Sequence, residues 1–593
     1  TPALGSGGLV RYAGGDADAS LCLCREMHSQ MVEYEMVDEF KRLLIDGIPH
    51  ISLMEFNGVA VNQTTTAVLA ARLPAMMAAT FEKIRNSSWG MSTEKALGER
   101  VKNDKPRPLA FNLASVDATL RELLYNQMKL PVFKTSNEHD KQASKFPRKR
   151  SAKDPERYSF TDRGKEKFDK PSTDGECLGA IEEWCMIHDK EKLDIVTGLR
   201  SWRALKDEYT RYVKPFSPDQ DGHSKRVYKG KCYPDYKMSG TVTGRFSSWF
   251  HGFPKESEVN RQFVSRFDGG MMVAADMGQS EMRVLASLTG DENLIRVIKS
   301  GVDLHTASAA RMMHGIDVTN PQDAIRATKL VTKEQRDLAK RCGFGVLFGI
   351  SAATLGARIG KPTQEAQSII DAWFRAFPKV KPWIDNAFFF CQEHSFTVPS
   401  PFGRLRFVPG IRDAKPGSHQ FIEAYNSVIS STSSDITYLA LCQMSAFIRE
   451  NGLRSRIFRF KHDDIGIDAH PDEIWTVLTR LKHFMERWSS ETHAFLKVPM
   501  LSDFKLGQNL GAMCAASWVA DHDKDLFPEP DYSILSITGK PADVERSKIE
   551  FEKAGWDVAS SKIDGKAATA GLYSHLKPGT PDFSTGRAAN LPF

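Results

Sequence analysis

The chain has 593 residues, with 80 Lys and Arg against 74 Asp and Glu, 41% hydrophobic and 26% charged residues. These proportions match ordinary globular usage, which excludes collagen-like, wholly disordered and disulfide-scaffold proteins, and the length calls for more than one domain. The formal net charge of +6 allows a nucleic-acid partner without demanding one, so local charge has to decide.

Residues 32 to 131 read mainly as helices, with amphipathic spacing from Met36 to Ile45 and from Val68 to Ile84, and N-capping oxygens on Ser115 and Asp117. From Ser136 to Lys170 apolar periodicity is lost. Arg148, Lys149 and Arg150 lie there in a basic run, with Pro147 and Pro155 as breakers, and the segment reads as an exposed basic insertion. From Val273 onward β-like runs alternate with helical ones, and a helix pattern covers Lys333 to Leu347, which is α+β patterning. Beyond Asp523 a strand-helix-strand pattern (SILSITG, ADVERSKIEFEKAG, WDVAS) precedes a Gly/Pro-rich end and reads as a small appended module. Nine cysteines without a Cys-x-x-Cys pair point to a reducing compartment rather than to disulfides or zinc. The apolar stretch from Ala67 to Phe81 is interrupted by Arg72 and too short for a bilayer, so no membrane segment is expected. The N-terminus opens on Thr1 without a leader pattern, as a processed or partial chain would.

Three constellations carry chemistry. In VAADMGQSEMRVLASL an apolar strand delivers Asp276 at its end, and a helix with Glu281 and Arg283 follows. In RIFRFKHDDIGIDA two β-like runs, Arg456 to Phe460 and Ile465 to Ile467, flank Lys461-His462-Asp463-Asp464, a hairpin with adjacent carboxylates at its tip. Adjacent acids repel unless a cation neutralises them, so acids from two distant segments suggest an oxygen-ligand site suited to Mg²⁺, whereas either segment alone reads as a turn cap. In EQRDLAKRCGFGVLFG, Arg336, Lys340, Phe344 and Phe348 recur every four residues along one helical face. Two cations and two aromatics suit a triphosphate and a base; alone, the stripe reads as an amphipathic helix with core aromatics.

In order and spacing these segments resemble the family A DNA polymerases, the group of bacterial DNA polymerase I and many phage replicases. The family's DYSQIELR block lies over Asp276 to Arg283, its R-x3-K helix over Arg336, Lys340, Phe344 and Gly345, and its HDE over His462-Asp463-Asp464. Thr241 to Ser248 resembles its T-x-T-G-R-x-S-S, Pro401 to Arg404 its G-R turn, and Glu55-Phe-Asn57-Gly58-Val the block that opens the polymerase region. The likeness runs from about Tyr12 to Ala512. It departs at Phe348, which replaces a Tyr, at Asp464, one methylene shorter than Glu, at Ser430 and Ile422, which replace a Gln and an Arg either side of Asn426, and after Ser248, where Q-N-I-P is missing.

The resemblance implies an α+β multidomain right hand. A helical thumb would span 32–240 with the basic insertion at 136–170, a palm with an antiparallel sheet 241–295 and 396–522, and helical fingers 296–395. A remnant of a 3′–5′ exonuclease domain would occupy 1–31, and a C-terminal extension of unknown role 523–593. The implied activity is template-directed addition of deoxynucleotides to a primer 3′-hydroxyl by a two-metal mechanism, in DNA replication. A translesion or repair polymerase, a single-subunit RNA polymerase and an inactive DNA-binding subunit are the other readings.

By the same resemblance, Asp276 and Asp463 would hold two Mg²⁺ ions about 3.5 to 4 Å apart, with Asp464 beside them. Lys340 would protonate the leaving pyrophosphate. Arg336, Lys340, Phe344, Phe348, Gln279 and His305 would bind the nucleotide, and Glu281 would lie under its sugar, leaving no room for a 2′-hydroxyl. Arg245, Asn426, His462 and Ser430 would meet DNA near the primer terminus and minor groove. Arg148, Lys149 and Arg150 would grip duplex phosphates, serve a processivity factor, or form a solvated loop. Tyr12 and Asp16 match the Y-x3-D of the exonuclease, whose other motifs would lie upstream or on a separate polypeptide. Primer-template DNA and dNTPs are the implied partners, and the cytoplasm, of a bacterial host if phage-encoded, is the implied setting.

Overall fold

The computed structural model describes residues 6–574 except 100, 103–104, 107, 116–118, 134, 137–148, 151–157, 163–164, 169, 220, 239, 255–256, 317–320, 519–532, 554–556, 559–561 and 565–566. Its contacts form two units, Asn62–Lys229 and Thr1–Val61 with Gly230–Phe593. The chain opens on helix α1 (Ser6–Glu33), which carries an exposed Asp16.

The smaller unit is built on α2 (Gln63–Arg85), α3 (Gly175–His188) and α4 (Lys190–Glu208). Each starts on a side-chain cap: Asn62, Asp174 and Asp189 accept from Thr65, Cys177 and Lys192 backbone N–H groups at 3.0, 2.8 and 3.2 Å, satisfying donors that a helix start leaves open. Their apolar faces meet in a core of Ile84, Ile181, Val196, Leu199 and Trp202, which Leu124 joins from outside them. Where the sequence suggested a featureless basic insertion, Lys149–Arg150, Tyr158–Asp162 and Lys165–Phe168 form an antiparallel ladder. The alternation of Tyr158 and Phe160 covers five residues, too few to stand out from the surrounding charge. Arg148 and Asp117 lie outside the described residues.

The larger unit centres on a nine-stranded sheet. Its strands are β1 (Met271–Met277), β2 (Arg456–Lys461), β3 (Asp464–Ala469), β4 (Ser502–Gly507), β5 (Cys514–Trp518), β6 (Ser533–Gly539), β7 (Asp557–Val558), β8 (Lys562–Asp564) and β9 (Ala567–Ser574). They lie in the order β2-β3-β1-β4-β5-β6-β9-β7, with β8 also paired to β9, all antiparallel. Around the sheet run α5 (Ser280–Thr289), α6 (Leu304–His314), α7 (Lys333–Leu347), α8 (His419–Glu450), α9 (Ile474–His483) and α10 (Pro541–Lys553). β1 is buried along its length apart from Asp276, which explains why MMVAA reads as an unbroken apolar run rather than an alternating one. α8 is buried continuously from Ala424 to Leu441. The small side chains of its Ser430-Ser431-Thr432-Ser433-Ser434 stretch allow that, with Thr432 Oγ1 returning its hydrogen to Val428 O at 2.6 Å.

The C-terminal strand-helix-strand pattern is present as β6, α10 and β7, but it is no separate appendage. β6 pairs with β5 from Ala515↔Thr538 to Trp518↔Leu535, and Ile537, Val544 and Phe551 are buried in the same core as Val273 and Leu506. That pairing spans residues 519–532, beyond the reach of any local pattern. No helix among the described residues is long and apolar enough to cross a membrane.

Candidate active site

The ladder brings the predicted acids together. Asp276 on β1 is the Cα partner of Asp464 on β3 and, on its other side, of Asp503 on β4. Directly paired residues share a sheet face, so three carboxylates stand in a row. β2 and β3 are joined by the two-residue turn His462-Asp463, with His462 at a φ of 60°, the sense of a II′-type hairpin. Asp463 is tied to the β1–α5 junction twice: its carbonyl accepts from Met277 N–H at 2.9 Å, and its Oδ2 from Ser280 Oγ at 3.1 Å. Gln279, the residue before α5, also has a left-handed φ of 55°. Two non-glycine residues in that costly region flank the acids, as is common where a site imposes its own geometry.

Asp464 is already engaged. Arg459 reaches its Oδ1 with Nε at 2.8 Å and Nη2 at 2.5 Å. The register shifts between Ile457 and Arg459, so Phe458 is an extra residue in β2 and the bulge turns Arg459 towards the hairpin's acid. Gly466 opposite is required by this crowding, because a Cβ there would stand 2.8 Å from Phe458 Cζ and 2.9 Å from Arg459 Cβ. His251 lies next to the turn, its ring centroid 5.3 Å from that of His462, and its Nε2–H donates to Phe460 O at 2.7 Å. Burial pushes this imidazole down to about 4, so it is neutral.

Glu281, in the first turn of α5, pairs with Arg245 and accepts from Ser430 Oγ at 3.0 Å. Ser430 Oγ also lies 3.2 Å from Asn426 Oδ1 one turn earlier on α8. Four residues from three segments are thus joined in one network. The expectation that Ser430 meets DNA needs correcting: it is 1% exposed and its short side chain turns inward to Glu281. Arg283 is structural, donating to Gly278 O at 2.8 Å and Pro499 O at 2.7 Å.

α7 runs over the residues its pattern indicated. Arg336 is held by a bidentate pair, Nε and Nη2 to the two Asp303 oxygens at 2.9 and 3.0 Å. Asp303 also caps α6 through Thr306 N at 2.8 Å. Burial drives its carboxyl upward, but hydrogen bonds from Arg336 and Thr306 outweigh that and leave it below the usual range. His305 is buried beside them; burial first, with Lys340 and Arg336 adding repulsion, lowers its affinity for a proton. Lys340 is exposed, and with Phe348, 51% exposed, it lines an open cavity of about 770 Å³ that also touches Asp337, Arg341 and Ser351. The side chains of Phe344, Tyr12, Lys149 and Arg150 are outside the described set. Sequence reasoning missed Arg459, Asp303, Ser280 and His251. Of these only Asp303 left a local signal, an Asp-x-x-Thr spacing at a helix start.

A profile of DNA polymerase family A matches residues 149–512. The chain is 33% identical over 293 residues to DNA polymerase I of Chloroflexus aurantiacus, covering 48% of this chain and 29% of that protein. It is 31% identical over 400 residues to the DNA polymerase of Bacillus phage SP01, covering 62% and 40%. Against the thermostable DNA polymerase I of Thermus aquaticus it is 31% identical over 330 residues, covering 54% and 36%. The chain therefore spans 29 to 40% of the length of these curated relatives. The solved POL domain of Pol1 from M. smegmatis, in complex with DNA primer-template and dNTP, superposes with a TM-score of 0.64 at 19% identity, covering 84% of this chain and 75% of that one. That likeness establishes a shared fold of mixed helix and sheet.

Proposed function

This chain belongs to DNA polymerase family A, and from that premise we propose that it is a template-directed DNA polymerase, adding deoxynucleotides to a primer 3′-hydroxyl with release of pyrophosphate, in DNA replication. The observation that carries the reading is the tie of Asp463 to the residues that follow Asp276, through Met277 N–H and Ser280 Oγ. In this reading the unit Asn62–Lys229 is the thumb, the sheet with its acids the palm, and 296–395 with α7 the fingers.

Family A DNA polymerases use divalent metal ions. The donor set here fits Mg²⁺: Asp276 and Asp463 are partly exposed carboxylates, an oxygen-only set. Mg²⁺ keeps several waters and takes one or two carboxylates plus substrate phosphates, so Asp276 and Asp463 suffice. When bound, the cations would neutralise triphosphate charge and make the primer hydroxyl more acidic. Arg336 contributes to triphosphate binding with the donors that Asp303 leaves, since a guanidinium has five N–H groups. Lys340, on the same face of α7, meets the phosphate oxygens and hands a proton to the departing pyrophosphate. Phe344 and Phe348 supply the apolar wall for base and sugar, and Glu281 stands where a 2′-hydroxyl would go.

Primer extension tests this directly. Purified chain with primer-template, Mg²⁺ and dNTPs is expected to copy the template, to stop with EDTA, and to use rNTPs poorly. Absence of templated extension in Mg²⁺ refutes the reading.

A further inference from the structure

Glu281 Oε1 is held from two sides, by the Arg245 guanidinium and by the Ser430 hydroxyl at 3.0 Å. These come from the 241–248 loop and from the buried middle of α8. We propose that Ser430 is a positioning residue which latches Glu281, so that selection of the sugar in this chain depends on a hydroxyl inside α8. The proposal rests on the reading of the chain as a DNA polymerase.

Two observations converge on it. Ser430 is 1% exposed, so its hydroxyl is committed to protein partners rather than to solvent or substrate. Its one hydrogen faces two acceptors, Glu281 Oε1 at 3.0 Å and Asn426 Oδ1 at 3.2 Å. The carboxylate paired with Arg245 is the stronger acceptor, and a half-turn of the Asn426 amide would let Asn426 donate to Ser430 while Ser430 donates to Glu281. A glutamate held by one arginine can swing about it; a second donor from an unrelated helix fixes the rotamer. A wall against a 2′-hydroxyl works only when fixed.

Ser430→Ala removes the donor with little change of volume, and Ser430→Thr keeps it. Single-nucleotide incorporation of a dNTP and the matching rNTP is the readout. The alanine variant is expected to lose about threefold to tenfold of the dNTP-over-rNTP ratio in kcat/KM, the worth of one hydrogen bond, through better use of the rNTP, with dNTP kcat within about twofold and recovery in the threonine variant. An unchanged ratio, or equal slowing with both nucleotides, overturns the proposal. A denaturation double-mutant cycle on Ser430→Ala and Glu281→Gln reads the same contact without nucleotide. Zero coupling refutes the latch even when extension succeeds, and coupling in a chain that extends no primer sinks only the polymerase reading.

Discussion

Replacing Arg459 by methionine isolates the electrostatic problem at the centre of the site. Asp276 and Asp464 are direct partners across β1 and β3, which puts their α-carbons about 5 Å apart. Two like charges at about 5.5 Å repel by roughly 3 kcal/mol at an effective dielectric of 20. Arg459 offsets that repulsion through a pair whose side chains are only 16% and 20% exposed, so water screens it little. The Arg459→Met change keeps an apolar stem and removes the cation. The expected result is a loss of about 2 to 3 kcal/mol of unfolding free energy in EDTA, and a smaller loss in Mg²⁺, where a bound cation neutralises Asp276. Adding Asp464→Asn to the Arg459→Met chain removes one of the two carboxylate charges beside Asp276, Asp503 being the other, and should restore much of the stability. Urea denaturation followed by tryptophan fluorescence, with and without Mg²⁺, measures all of this. An Arg459→Met chain as stable as the parent in EDTA, or one that Asp464→Asn fails to rescue, refutes the reasoning.

Three other outcomes follow from the site and the fold. Asp463→Asn keeps the carbonyl that Met277 holds but loses the charge, so extension should slow at least about a thousandfold, roughly 4 kcal/mol of barrier, in single-turnover assays while the melting profile changes little. Burial pushes the His493 imidazole down to about 4, with Arg42 adding to the effect; the unfolded chain takes up that proton near 6.5, so the group's contribution is complete above about 6.5 and lost as pH falls towards 4, at most roughly 3 kcal/mol. His493→Phe, seated among Phe402, Phe495 and Trp488, should flatten that part of the stability curve measured between pH 4 and 7. Ending the chain after Trp518 strips β6 from β5 and uncovers the core that Ile537, Val544 and Phe551 complete, so size-exclusion chromatography should show aggregation.

What could be read in advance was what local pattern determines. The apolar run before Asp276, the paired β-like runs around His462-Asp463 and the four-residue stripe of α7 each announce an element within ten or fifteen residues, and the structure forms each one there. What each charged side chain is bonded to was not legible. Arg459 meets Asp464 only because Phe458 is extra in the ladder, Arg336 meets Asp303 across 33 residues, and Glu281 meets Ser430 across 149. The first and last of these pairs fall where the sequence departs from the family pattern, at Asp464 and Ser430. The shorter acid at 464 has an arginine on a bulge, and Glu281 has a serine where the family has glutamine. A shortened or missing polar group near paired carboxylates leaves a charge under-solvated, and a buried charge persists only with a partner. The departures at 464 and 430 are therefore each tied to a partner, Arg459 and Glu281.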